Sequence, residues 1–206
     1  MPVAIRINSK GSEWYGLDLL AMLHSNVPLV VIPRADSKDD LHYARSHSGK
    51  PVLAMIETAR GVIAAASIAE EAAALIAGTN DLRADLRLPL DSTREPISAS
   101  LQMIILAARA AGIAAFDGVF NKLTDPDGFA AECEDGRRLG FDGKSLIHPD
   151  QIEPCNRLFG PSELEIARAR KLVEAFSGGA ERFEDSMIER MHVEAARRVL
   201  ARAGKN

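Results

Sequence analysis

The strongest constraint on this chain is a series of short apolar runs rich in Val, Ile and Leu, at residues 3–7, 29–32, 52–56, 73–77, 113–119 and 144–147. They are bounded by Pro or Gly and do not alternate in polarity, so they fit strands buried on both faces of a parallel sheet rather than a half-solvated antiparallel one. The gaps between them leave room for one crossover helix each time, as a parallel connection demands. Such repeated βα units define an α/β fold.

The intervening helices announce their ends. Ser37 precedes Lys38-Asp39-Asp40 as an N-cap with acids in the first turn, which the helix dipole favours, and predicts a helix to about residue 46. Residues 58–74 are Ala-rich, and residues 97–111 and 127–139 run up to Gly112 and Gly140, each placed for a left-handed C-cap. Ser162 and Glu165 form a capping-box pattern that starts a helix reaching about residue 176. After Ser177-Gly178-Gly179 the stretch 181–184 reads as a charged turn and 186–203 as a final amphipathic helix. The expected division is therefore a barrel-like domain at 1–177 and a helical arm at 178–206.

Composition removes several function classes. With 25 Lys+Arg against 29 Asp+Glu and no basic cluster interleaved with aromatics, nucleic acid is not an expected partner. No apolar window approaches the ~20 residues of a membrane-spanning helix, and MPVAIRINSK lacks the charged-then-apolar profile of a signal peptide. Two cysteines, Cys133 and Cys155, are too few for a disulfide framework, so a reducing cytoplasm is expected. Serine-hydrolase, zincin, P-loop and simple Rossmann motifs are all missing from the sequence. A Schiff-base aldolase needs a strand-end Lys, whereas Lys144 stands at the start of its run.

In parallel α/β folds the chemistry gathers where strands end, because loops and helix N-termini converge there. Glu57 and Asp81 each follow a buried run on consecutive strands. Strands about 4.8 Å apart bring two such carboxylates within reach of one hard cation, with water and substrate oxygens completing its shell, the usual way Mg2+ is held. The alternative is structural: one carboxylate caps the next helix and the other pairs with Arg60 or Arg83. Arg6, at the first strand end, has a planar fork suited to a bidentate carboxylate, or else to an internal salt bridge. His148, before Pro149, suits a loop-fixing hydrogen bond better than a catalytic base.

The blocks Val31-Ile-Pro-Arg34, Ala54-Met-Ile-Glu-Thr-Ala-Arg-Gly-Val62, Leu75-Ile-Ala-Gly-Thr-Asn-Asp-Leu82, Ala107-Ala-Arg-Ala-Ala-Gly112 and Leu139-Gly-Phe-Asp-Gly-Lys-Ser-Leu-Ile-His-Pro149 come in an order that resembles the citrate lyase beta subunit-like (CitE-like) branch of the HpcH/HpaI aldolase family. The resemblance runs from about residue 3 to 176. It implies a TIM (β/α)8-type barrel assembled as a homo-trimer or hexamer, and Mg2+-assisted cleavage or formation of a C–C bond in a 2-hydroxy acid. That acid is a citryl, malyl or citramalyl thioester of CoA or an acyl carrier, cleaved to a 2-oxo acid and an acyl thioester. By motif, Glu57 and Asp81 map to the metal ligands and Arg6 to the clamp on the substrate carboxylate or carbonyl. Asn8, Thr58 and the backbone N–H groups around Gly78 and Thr79 are placed to orient the rest of the substrate, and no general base is assigned.

Three features depart from the family pattern. Arg34 stands where relatives carry Lys, and Glu189-Arg190-Met191 stands where they carry an Asp-x-Pro that reaches a neighbouring subunit. Relatives also begin with two further strands, one ending in an acidic motif that lines the site. About six βα units cannot close an eight-stranded wall unaided, so the barrel is expected to be N-terminally incomplete: a fragment or mis-called start, a chain completed by another, or a reduced homologue. A non-catalytic remnant or accessory subunit, and an HpcH-type pyruvate aldolase, are the alternatives to a thioester lyase.

Overall fold

The first five apolar runs become strands of one sheet, and the sixth touches its last strand, in the computed structural model, which describes residues 3–204. The order is β1 (Ala4–Arg6), α1 (Tyr15–His24), β2 (Leu29–Ile32), α2 (Lys38–Ser48), β3 (Val52–Ile56), α3 (Ala59–Ala69), β4 (Ala74–Ala77), α4 (Thr79–Asp85), α5 (Ser98–Ala110), β5 (Ala114–Asp117), α6 (Pro126–Leu139) and β6 (Gly143–Lys144). The strands lie side by side in chain order, and each pair is parallel. This is a curled half-barrel, an incomplete TIM-type wall.

The caps foreseen from sequence form as drawn. Ser37 accepts from the Asp40 amide, and Gly140 adopts φ +110° beyond α6. Gly112 takes φ +70° just after α5. The third helix stops at Ala69, short of residue 74, and α1, α4 and a later helix at Ile152–Phe159 have no counterpart in the predicted pattern. The last run also differs. Strand β6 is Gly143–Lys144, so Lys144 ends a strand instead of starting one. Asp117 and Lys144 are register partners, which accounts for the shift.

Register sorts the sheet into two unlike faces. Arg6 pairs with Val31, Val31 with Leu53 and Leu53 with Ala74, so these share one face, and the period of two carries Met55 and Glu57 to that same face. On the opposite face Val52, Ala54 and Ile56 are fully buried. Leu53 and Met55 are only half-buried. Burial on both faces, as expected, holds along β4 and most of β2, whereas β3 is sealed only on the side covered by helices. Six strands leave the inner, concave face partly open, and that is the face carrying Arg6 and Glu57.

The open edge has an apolar margin. Strand β1 is exposed throughout, and next to it α1 buries Tyr15, Leu19 and Met22 while leaving Leu17, Leu20 and Leu23 about half exposed. A helix apolar on more than one side expects a second neighbour, and an uncovered parallel edge invites association. Replacing Leu17 and Leu20 together by Glu is expected to lower self-association in light scattering. Each change should alter stability by no more than about 0.5 kcal/mol, because neither side chain is in the core.

The chain forms two compact units, Met1–Gln151 and Ile152–Asn206, whereas the sequence suggested a division at 177/178. The second holds α7 (Ile152–Phe159), α8 (Glu163–Ala175), a two-stranded hairpin of β7 (Glu181–Phe183) and β8 (Ser186–Ile188), and α9 (Arg190–Ala203). Helix α8 opens with the Ser162–Glu165 capping box, and α9 packs along it. The hairpin replaces the expected turn and the first residues of the expected final helix. Its strands are three residues each, too short to show a period, and Glu184 closes the turn at φ +53°.

Candidate functional site

Glu57 is the first residue beyond β3, and Thr58 relieves it of any capping duty: the Thr58 hydroxyl accepts from the Gly61 amide at the start of α3. The Glu57 side chain is only 4% exposed. Its Oε1 accepts a hydrogen bond from the Arg34 backbone amide at 2.9 Å. Ile56 and Ala77 are register partners, so Glu57 lies opposite Gly78, where an added methyl would collide with both Cβ and Oε2 of Glu57. Only a glycine lets the β4 end approach this carboxylate so closely.

Burial pushes the Glu57 carboxyl above the usual carboxylate range, and Asp81 pushes in the same direction. The Arg34 amide, then the charges of Arg6 and Arg34, oppose the rise without cancelling it. Asp81 sits exposed in the first turn of α4, three residues past Gly78. Neither arginine of the structural alternative pairs with Glu57: its partner is the Arg34 amide, and Arg83 donates to the Ser92 carbonyl at 2.5 Å.

Among the described residues no three His, Cys, Asp or Glu side chains cluster as a metal cage. What the strand ends offer is an oxygen-only pair of carboxylates, one of them buried with its pKa raised by that burial. That fits a hard cation keeping most of its shell for water and ligand, as Mg2+ does. It does not fit a structural zinc site, which takes a closed tetrahedral set of Cys and His donors.

The other predicted residues separate. Arg6 lies on the Glu57 face at the exposed end of β1, and its charge acts on Glu57. Thr79 is buried against Gly118. Asn8 is turned elsewhere: its backbone and side-chain amides both donate to Asp18 Oδ2 at 2.8 Å, stapling the β1–α1 turn. His148 accepts from the Asp150 amide at 3.2 Å and fixes the turn after β6, as its place before Pro149 suggested.

Beside Thr79 opens a pocket of about 570 Å³, lined by Asn80, Leu90, Arg94, Phe120 and Asn121 among others. Asn80 and Asn121 exchange amide hydrogen bonds of 3.2 and 2.7 Å across it. Behind the pocket lies an ionic cluster that no sequence motif signals. Asp117, fully buried, accepts from Arg94 at 2.8 Å, from Lys144 at 3.0 Å and from the Gly118 amide at 2.8 Å. Lys144 also reaches Glu132 at 2.6 Å, and Arg94 reaches Asp135 at 2.7 Å. Burial works against the Arg94 charge, and Asp117, Glu132 and Asp135 more than offset it, leaving its pKa raised. Lys144 is therefore a strand-end lysine, but its amine is ion-paired between two carboxylates.

The family model for HpcH/HpaI aldolase/citrate lyase matches residues 1–149, most of the chain and all of the sheet. The chain belongs to this family. Among curated relatives, a (3S)-malyl-CoA thioesterase of Cereibacter sphaeroides is 38% identical over 97% of this chain and 73% of its own length. The citrate lyase subunit beta of Escherichia coli is 32% identical over 97% and 73%. Among solved structures, the CitE protein of Mycobacterium tuberculosis in complex with magnesium, acetoacetate and coenzyme A is 30% identical with a TM-score of 0.86, over 98% of this chain and 78% of that one. A citrate lyase beta subunit of Mycobacterium tuberculosis complexed with oxaloacetate and magnesium is 30% identical with a TM-score of 0.70, over 78% of this chain and 76% of that one. No helix of this HpcH/HpaI family member, among the described residues, is long and apolar enough to cross a membrane.

The raised carboxyl of Glu57 has a measurable sign. Between its unfolded value, about 4.3, and its higher folded value, the folded state holds more protons, so stability falls as pH rises through that window. Without metal, Glu57→Gln is expected to melt above wild type at pH 7.5, the advantage vanishing toward pH 4. Thermal melts in chelator across that range check it.

Proposed function

We propose that this chain acts on a 2-hydroxyacyl thioester of the malyl, citramalyl or citryl type, through a Mg2+ ion held by Glu57 and Asp81. The observation that carries this reading is the buried Glu57 carboxylate at a strand end, kept beside Asp81 and Arg6 on the open face of the sheet. The metal, when bound, supplies Lewis-acid polarisation of the oxygens of a 2-oxo acid. The rest falls to the chain. Arg6 offers a planar, permanently charged fork to the acid's carboxylate. Gly78 keeps the wall close, and the buried Thr79 forms one side of the adjoining pocket of about 570 Å³, roomy enough for the acyl portion of the substrate. Cleavage breaks the bond between the carbinol carbon and the carbon α to the thioester. The hydroxyl proton leaves, and the electron pair passes into a thioester enolate that is then protonated, so the site must stabilise developing anionic oxygen. Magnesium, acetoacetate and coenzyme A together in the similar CitE protein support this reading. A homo-trimer or hexamer belongs to the same reading.

A second reading has its own support, since the relatives at 38% identity are named thioesterases. The same grip on a malyl thioester would then serve hydrolysis. Incubation with malyl-CoA and citramalyl-CoA, with Mg2+ or with chelator, separates the two by product. A 2-oxo acid with acyl-CoA supports the lyase, and a 2-hydroxy acid with free CoA supports the thioesterase. No turnover of either thioester by protein that still binds the 2-oxo acid with Mg2+ would favour a non-catalytic role.

A further inference from the structure

The turn that follows β2 departs from the regular ladder at one place. The Val30 amide donates to the Pro51 carbonyl, an offset of 21, and regular parallel pairing would next bring Arg34 to Met55 at the same offset. Instead Ala35 donates to the Met55 carbonyl at 3.1 Å, an offset of 20. One extra residue has entered the β2 side of the pairing, which defines a bulge at Pro33-Arg34. Pro33 has no amide to lose from the ladder, which suits it to such a place.

Arg34 within the bulge adopts φ +48°, a left-handed conformation uncommon outside glycine. The two other non-glycine residues with positive φ among the described residues close ordinary turns: Arg87 follows α4, and Glu184 caps the β7–β8 hairpin. Arg34 closes neither a helix nor a hairpin. Its backbone amide, turned out of the ladder, is the donor to Glu57 Oε1 at 2.9 Å. The surroundings lock this arrangement. The Thr58 hydroxyl donates to Asp36 Oδ1, and Gly61 lies so close to the Ala35 carbonyl that an added Cβ would stand 2.6 Å from it.

We propose that Arg34 is a positioning residue: the bulge directs its backbone amide at Glu57 Oε1 and so orients the carboxylate toward the cation and acid site, through backbone conformation rather than side-chain charge. The proposal rests on Glu57 being a metal ligand. A carboxylate with one oxygen already engaged has a fixed plane, and such outer contacts are commonly worth about 10- to 100-fold in metal affinity.

The test orders variants by tolerance of positive φ. Arg34→Lys, Arg34→Asn and Arg34→Gly all keep the amide and can hold the turn, whereas the β-branched Arg34→Val resists it. Mg2+-dependent binding of glyoxylate or oxaloacetate, by calorimetry, is expected to stay within about threefold of wild type for Lys, Asn and Gly and to weaken at least about tenfold for Val. In the metal-free protein, the amide proton of residue 34 should resonate downfield in wild type, Asn and Gly, and move upfield in Val and in Glu57→Gln. Thermal melting of Arg34→Val, expected to show a cooperative transition, checks that the variant is folded. Retention by Lys alone, with Asn, Gly and Val losing affinity alike, would assign the role to charge and overturn the proposal; so would unchanged affinity in Val. If wild type binds no 2-oxo acid with Mg2+, the proposed function fails on its own, and the amide resonances still decide whether the bulge orients Glu57.

Discussion

Asp81→Ala and Glu57→Ala are each expected to abolish Mg2+-dependent binding of a 2-oxo acid. Wild type with Mg2+ and glyoxylate at about 100 times the dissociation constant should gain about 2.7 kcal/mol of stability, read as a rise in melting temperature that chelator reverses. Each variant should show no such rise. In the proposed site Glu57 and Asp81 are the two anionic ligands, so removing either halves the protein charge that holds the cation. The two variants should differ in one respect. Asp81 is exposed, and its loss leaves the fold unaffected; Glu57 is buried with its carboxyl pushed up, so metal-free Glu57→Ala should lose packing while shedding an unfavourable charge. Acid should weaken the wild-type response sooner than an ordinary carboxylate would, because Mg2+ requires Glu57 ionised and burial holds its proton more tightly. Binding of the acid by wild type in chelator, at the same affinity, would refute the metal site.

Lys144→Met should be the most destabilising of the changes considered, by about 3–5 kcal/mol. Both Lys144 and Asp117 side chains are fully buried, and Asp117, Glu132 and Asp135 would be left with Arg94 as their only cation in the cluster. An uncompensated buried charge costs far more than the pair contributes over an apolar replacement. The double variant Lys144→Met with Asp117→Asn should therefore recover a substantial part of the loss, which urea denaturation followed by circular dichroism can measure. A double variant no more stable than the single one would show that packing, not charge, sets the cost. Arg94 carries the loop at the mouth of the 570 Å³ pocket, so loss of this cluster should also loosen the pocket wall.

The clearest gains from sequence were local ones. Strands β2 and β3 occupy the residues of their apolar runs, and the Ser37, Ser162, Gly112 and Gly140 signals work as read, because capping is settled within a few residues of chain. The hairpin at 181–188 and helices α1, α4 and α7 were illegible for the complementary reason: they are short or carry no clean period, and packing against neighbours creates them. Glu57 and Asp81 could be singled out from their position after buried runs. Whether Glu57 caps the next helix could not be read, since that turned on Thr58 taking the cap and Gly78 taking the opposite place.

What the sequence alone determined is the succession of βα units, and with it a parallel sheet whose strand ends collect Arg6, Glu57 and Asp81. A hydrophobic period and a cap are properties of neighbouring residues, so they are written in the chain. The tertiary structure decided what those groups are to one another. Register put Arg6 and Glu57 on the same open face, a one-residue bulge turned the Arg34 amide onto Glu57, and the partnership of Asp117 with Lys144 made a strand-end lysine an ion-pair member. Each of these joins residues more than twenty positions apart, where burial, desolvation and hydrogen-bond geometry act only once the sheet has formed.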